Sequence, residues 1–275
     1  MTDPAELVER LEARIRSYGH PRALVAFSGG VDSSTVLAVA ARALGRGAVQ
    51  AVTAVSPSLP AGELDEAEAL ATGLGVAHRT VETHEVEREA YARNDAQRCY
   101  HCKTELYGTL RAILREAAAP GTVILAGANA DDANDVRPGL RAAAQQGIAN
   151  PLLEEGLGKA EVRAVARHLG LPVADKPALA CLSSRVAPGI RVTPKLLSRI
   201  DRAEQEIRAH GFDTVRVRHL GSTASIEVPA EDVGRLAAIP ALLAALRSLG
   251  WDDVTVDPEG YRQGSLNRLL PLIPR

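Results

Sequence analysis

Aromatic residues are scarce: one Trp, two Phe and five Tyr make up 3% of a 275-residue chain. So few rings leave little surface for stacking nucleic-acid bases. An excess of charge of one sign is missing too. A formal net charge of -2 argues against a protein that grips nucleic acid through its overall charge, so no nucleic-acid partner is expected. No run approaches the ~20 apolar residues of a membrane helix. The start, Met1-Thr2-Asp3-Pro4, lacks the charged-then-apolar order of a signal segment, so a cytoplasmic location with no membrane partner is expected. Three cysteines are too few for a disulfide framework, which makes their placement more informative than their number. Neither an internal repeat nor a low-complexity segment is present.

What the chain does have is the make-up of an ordinary globular protein, 46% hydrophobic and 24% charged, long enough for one large domain or a large and a small one. Leu7, Leu11 and Ile15 lie on one stripe of a helix over residues 5–18, predicted to cover a sheet edge or a partner. Apolar runs at 23–27, 48–55, 76–81 and 122–127 read as buried strands alternating with helices at 35–41, 63–73, from Lys103 to about Glu116, and 158–169. That alternation predicts an α/β fold with a doubly wound parallel sheet, whose ligands bind beyond the carboxyl ends of the strands. Residues 84–98 read as polar and irregular, and 171–185 as a long loop with two prolines. A change of character at 188–194 suggests a nucleotide-binding domain over 1–188 and a smaller α+β domain over 189–275.

The stretch that organises the chain is Ser28-Gly29-Gly30-Val31-Asp32-Ser33-Ser34, between the first strand and a helix. Two glycines permit a turn closed to other residues, and N–H groups at a helix start attract an anion such as phosphate. The Gly-Lys-Ser/Thr ending of a Walker A loop is absent. The competing reading is a tight turn with a Ser/Asp cap. Asp131, Asp132 and Asp135 fall in a loop after a strand, where they would hold Mg2+ or merely cap a turn. Arg216 and Arg218 share one face of a strand with Val217 on the other, and two adjacent guanidiniums favour an intervening anion; solvated arginines on an open face are the alternative. Cys99 and Cys102 have metal-ligand spacing, and Cys181 falls in a loop of the same sheet. Zinc would need a fourth ligand such as His101 or His84, whereas three thiolates suit a four-iron cluster with one open iron. For Cys181 alone, a buried apolar role competes with a reactive thiolate next to Ser183, Ser184 and Arg185.

The Ser28–Ser34 loop resembles that of the pyrophosphatase-loop ATPases, which cleave ATP between the α- and β-phosphates. The resemblance narrows when further segments are added: Gly127-Ala128-Asn129-Ala130-Asp131-Asp132, Arg137-Pro138-Gly139-Leu140-Arg141, Lys176-Pro177-Ala178 with Cys181-Leu182-Ser183-Ser184-Arg185, Arg216-Val217-Arg218, and Gly260-Tyr261-Arg262. Together they resemble the LarE family of ATP-dependent sulfur transferases over nearly the whole chain.

That resemblance implies adenylation of a carboxylate of pyridinium-3,5-biscarboxylic acid mononucleotide, then sulfur transfer to give a thiocarboxylate for the nickel-pincer nucleotide cofactor. It implies ATP and Mg2+ at Ser28, Gly29, Gly30, Asp32, Ser33, Ser34, Asn129 and Asp131, substrate at Arg216, Arg218 and Ser184, and charge stabilisation by Arg185. Sulfur would come from a 4Fe-4S cluster on Cys99, Cys102 and Cys181, or sacrificially from Cys181, which would end as dehydroalanine. The sulfide source is open, and a homo-oligomer, a hexamer in the family, is expected. A tRNA thiolation enzyme, a non-catalytic metal or nucleotide sensor, and an ammonia-using ligase resembling NAD synthetase are the rival readings.

Overall fold

The computed structural model describes residues 2–117, 119–134, 138–177, 180–262 and 266. In chain order the elements are α1 (Pro4–Ser17), β1 (Arg22–Ala26), α2 (Val31–Leu44), β2 (Val49–Val55), α3 (Glu63–Gly73), β3 (Ala77–Glu82), α4 (Glu89–Ala92), α5 (Arg98–Glu116), β4 (Thr122–Leu125), α6 (Pro138–Gln145), α7 (Pro151–Glu154), α8 (Lys159–His168), α9 (Pro194–Ala209), β5 (Arg216–His219), β6 (Thr223–Glu227), α10 (Val233–Ala237), α11 (Pro240–Ser248) and β7 (Asp253–Val256). They form two compact units. One comprises residues 1–56, 62–85 and 99–179, the other 57–61, 86–98 and 180–275.

The first unit is built on a four-stranded sheet in the order β3-β2-β1-β4, every pair parallel. Alternate residues of its central strands serve opposite faces. Ala23, Val25 and Ala51 join one apolar cluster, Leu24 and Val52 another. The first cluster takes in α1, α2 and α8, and the second takes in Tyr107, Leu110 and Ile113 of α5 with Ala142 and Ala143 of α6. This is the expected doubly wound arrangement. Helix α2 is buried almost throughout because α1 and α8 pack over it. The α1 stripe of Leu7, Val8, Leu11 and Ile15 therefore belongs to the core, and covers neither a sheet edge nor a partner.

Two local readings need correction. Residues 84–98 are ordered around buried polar groups: a 3₁₀ turn at Glu85–Glu87 leads into α4, and Tyr91, Ala92 and Asn94 are buried. Their polarity is satisfied by hydrogen bonds, which composition does not reveal. Helix α5 begins at Arg98, ahead of Lys103, because Asp95 starts it: its carboxylate accepts from Gln97 N at 2.8 Å and its carbonyl from Arg98 N at 3.1 Å. Cys99 and Cys102 are thereby helical. Within the two loops, Ala130–Asn134 and Leu182–Arg185 form 3₁₀ turns, while residues 135–137 and 178–179 lie outside the described residues.

The second unit has a three-stranded sheet, β5-β6-β7, antiparallel between β5 and β6 and parallel between β6 and β7. Thr193 starts α9 by accepting from Leu196 N at 3.2 Å, and Pro194 occupies the first helical turn. Helix α9 buries Leu196, Leu197, Ile200, Ala203 and Ile207. All four residues of β5 are buried, so its arginines do not lie on an open face. Among the described residues no helix is long and apolar enough to cross a membrane.

Candidate active site

In the first unit the turn after β1 sets the geometry. Gly29 has φ 73°, a left-handed conformation that suits glycine, and a Cβ there would also come within 3.2 Å of Ala67 Cβ. Ser33 Oγ donates to Gly30 O at 3.1 Å and accepts from Ser28 N at 3.2 Å, and Ser34 Oγ donates to Gly30 O at 2.8 Å. The hydroxyls thus brace the turn internally. Gly30 stands at the start of α2, where no side chain caps the helix, so its first N–H groups can serve an anion.

The turn after β4 closes over this helix end. Gly127 approaches so closely that a Cβ would lie 2.7 Å from Ser33 N and 2.9 Å from the Asp32 carbonyl carbon, both backbone atoms. Asp32 is then gripped from two sides: Asn129 Nδ2 donates to Oδ1 at 3.2 Å, and Lys159 Nζ to Oδ2 at 2.5 Å. Asp131 accepts from Lys159 N at 2.7 Å, and Asp132 from Asn129 N at 3.1 Å. These two acids tie down the turn and the start of α8. Asp135 lies outside the described residues.

None of the sequence motifs singles out Lys159. A signal was present: a cation in the first turn of a helix opposes the helix dipole, so it calls for another reason to be there. Mg2+ is commonly held by one or two carboxylates plus substrate phosphates, and Asp32 beside a phosphate-type loop fits that donor set.

In the second unit, Cys181 heads the Leu182–Arg185 turn. Arg185, 1% exposed, makes two bonds to the Glu204 carboxylate at 2.9 and 3.2 Å, and its remaining nitrogen reaches Cys181 O at 2.9 Å and Ser184 Oγ at 3.2 Å. Arg218, on β5, pairs with Glu227 at 2.7 Å and donates to Ser184 O at 3.2 Å. Arg216 lies over the Tyr261 ring, 5.5 Å from its centre. Burial, then the nearby Arg185 charge, holds Arg216 below the usual arginine pKa, with Arg218 adding to the effect. Arg185 and Arg218 already face carboxylates of the protein, Glu204 and Glu227, so at Arg218 the anion expected beside the strand arginines is supplied by Glu227.

Cys99 and Cys102 stand three apart on the first turn of α5, a spacing that places both thiols on one helix face. They belong to the first unit and Cys181 to the second. Among the described residues no group of three or more His, Cys, Asp or Glu is gathered to hold a metal. Among the described residues His84 and His101 therefore complete no zinc site.

The family model described as asparagine synthase matches residues 13–169, the Ser28–Ser34 turn and Lys159 included. A Synechocystis protein without an assigned function is 43% identical over 96% of this chain and 99% of its own. The pyridinium-3,5-bisthiocarboxylic acid mononucleotide synthase of Lactiplantibacillus plantarum is 36% identical over 90% of each chain. An NH3-dependent NAD+ synthetase of Chlorobaculum tepidum is 29% identical over 63% of this chain.

Proposed function

The chain belongs to the LarE family of ATP-dependent sulfur transferases, with an ATP-using part of the asparagine synthase type, and from that premise we propose that it adenylates a carboxylate of pyridinium-3,5-biscarboxylic acid mononucleotide and converts it to a thiocarboxylate for nickel-pincer nucleotide synthesis. The observation that carries the reading is the grip of Asn129 and Lys159 on Asp32 beside an uncapped helix start, since it sets carboxylate, cation and N–H donors around one place for a triphosphate. Mg2+ on Asp32 would supply charge neutralisation at the phosphates. Lys159 and the N–H groups of the loop hold the departing pyrophosphate.

A carboxylate oxygen of the substrate attacks the α-phosphorus, the bond to the β-phosphate oxygen breaks, and pyrophosphate leaves. The resulting acyl adenylate carries AMP, a far better leaving group than oxide. A sulfur nucleophile then attacks the carbonyl carbon and AMP departs. If Cys181 is the donor, its thiolate forms a thioester. Removal of its α-proton with cleavage of the Cβ–Sγ bond then releases the thiocarboxylate and leaves dehydroalanine. Arg216 and Arg218 are the proposed holders of the substrate phosphate, and Ser184 lines the same place. Arg185 acts on Cys181 through its backbone carbonyl.

The three cysteines also support a second source, a 4Fe-4S cluster whose ligands would be Cys99, Cys102 and Cys181; soft thiolates suit such a cluster. This source requires thiols of both units to gather, in one chain or across a homo-oligomer, and no step above passes through it. The test is incubation of the full chain with ATP, Mg2+ and the mononucleotide, followed by intact-mass and iron analysis. AMP, pyrophosphate and thiocarboxylate are expected. Loss of one hydrogen sulfide from the Cys181 peptide identifies sacrifice, and continued product from an intact, iron-loaded chain identifies the cluster. ATP cleavage with no thiocarboxylate refutes the sulfur-transfer reading.

A further inference from the structure

Asn94 is the one non-glycine residue with positive φ among the described residues, at 57°, and it is 2% exposed. A non-glycine backbone in this left-handed region is uncommon, although asparagine adopts it more readily than most residues. Here hydrogen bonds hold the residue in place. Asn94 Nδ2 donates to Val186 O at 3.2 Å and Ala187 O at 2.8 Å, and its backbone carbonyl accepts from Gly189 N at 3.1 Å. Its side-chain oxygen accepts from Arg98, whose same nitrogen also donates to Ser183 O at 2.8 Å. One turn earlier, Tyr91 Oη and Ser183 Oγ bond at 2.7 Å, and Ala92 O accepts from Val192 N at 2.8 Å.

The segment 86–98 therefore holds residues 183–192 through successive backbone groups, while Arg185 and Arg218 hold Cys181 and Ser184. Five of these bonds engage backbone carbonyl or amide groups of residues 183–192 that water would satisfy equally well if the turn swung out. Burying them against a second segment is a way to keep the turn in one place. The residue that follows Arg98 is Cys99, so the segment ends where the paired cysteines begin.

We propose that Asn94 and Arg98 form a positioning clamp that fixes the Cys181 turn for the sulfur-transfer step and takes no part in adenylation. A misplacement of the order of an ångström at a reacting atom slows a step by up to about a hundredfold, so the clamp acts on the second half-reaction selectively. The activity side of the proposal rests on the sulfur-transferase reading; the positional side does not.

The test uses the full chain with Arg98→Met, Asn94→Asp and the conservative Arg98→Lys. Asn94→Asp keeps the shape but cannot donate to two carbonyls. Alkylation of Cys181 by N-ethylmaleimide is timed by peptide mapping, alongside mononucleotide-dependent pyrophosphate release and thiocarboxylate yield. Arg98→Met and Asn94→Asp should speed Cys181 alkylation about tenfold, hold pyrophosphate release within about twofold and cut thiocarboxylate about tenfold, with Arg98→Lys restoring most of the loss. Unchanged alkylation in both variants overturns the clamp, as does an equal fall in both half-reactions. If the unaltered chain releases no pyrophosphate with the mononucleotide, the reaction reading fails, and the alkylation rates alone still decide the clamp.

Discussion

Arg185 offers the sharpest test of how the Cys181 turn is held. Its side chain is 2% exposed and that of Glu204 is 0% exposed, so removing either partner strands a charge where water does not reach it. Breaking a buried pair from one side costs about 3–5 kcal/mol. Glu204 would retain Arg208 at 3.1 Å and Val217 N at 3.0 Å, which places Arg185→Met near the lower end, about 3 kcal/mol. In Glu204→Gln the arginine faces the Ala180 and Cys181 carbonyls and its close neighbour Arg216, which places that variant toward the upper end, about 4–5 kcal/mol. Arg185→Lys keeps the charge but has no planar fork to span a carboxylate and two carbonyls, so it should fall between the unaltered chain and Arg185→Met. Urea unfolding followed by tryptophan fluorescence is the assay, because the chain's one tryptophan, Trp251, belongs to the same unit as Arg185. With a slope of about 3 kcal/mol per molar, Arg185→Met should lower the midpoint by about 1 M. A loss under about 1 kcal/mol, the range of a surface pair, would refute the reasoning.

Three further outcomes are expected. Gly127→Ala places a methyl group against backbone at 2.7 Å and should slow mononucleotide-dependent pyrophosphate release about a hundredfold, measured by phosphate detection with added pyrophosphatase; a rate within about twofold would sink the close-approach argument. Lys159→Met should reduce the same rate by about a hundredfold while shifting stability by less than about 1 kcal/mol, because the Lys159–Asp32 pair is partly exposed; a large stability loss with normal kinetics would reverse the assignment. His219 accepts from Trp251 Nε1 at 2.8 Å, and burial, then the Arg199 charge, holds its pKa below the usual histidine value. Its neutral form is therefore the folded one: the stability it contributes is present above about pH 6.5 and is lost as pH falls through the lower folded value. Trp251 fluorescence and unfolding midpoints should change together in that acidic window, and His219→Gln should remove the dependence.

The sequence on its own determined what depends on near neighbours. Apolar runs and glycine spacing placed β1, the Ser28–Ser34 turn and α2, and the exact span of α3, because turn sterics and burial periodicity act over a few residues. It also placed Arg216 and Arg218 on one strand face, although it left open whether that face meets solvent. Only the tertiary structure decided that the face is buried, that Lys159 reaches Asp32 across 127 residues, and that the polar stretch around Asn94 is a buried support for a turn some ninety residues later. These last features rest on hydrogen bonds and ion pairs between distant segments. Such bonds leave no period or spacing in the chain, since a polar residue that will be satisfied inside the fold reads the same as one that will face water.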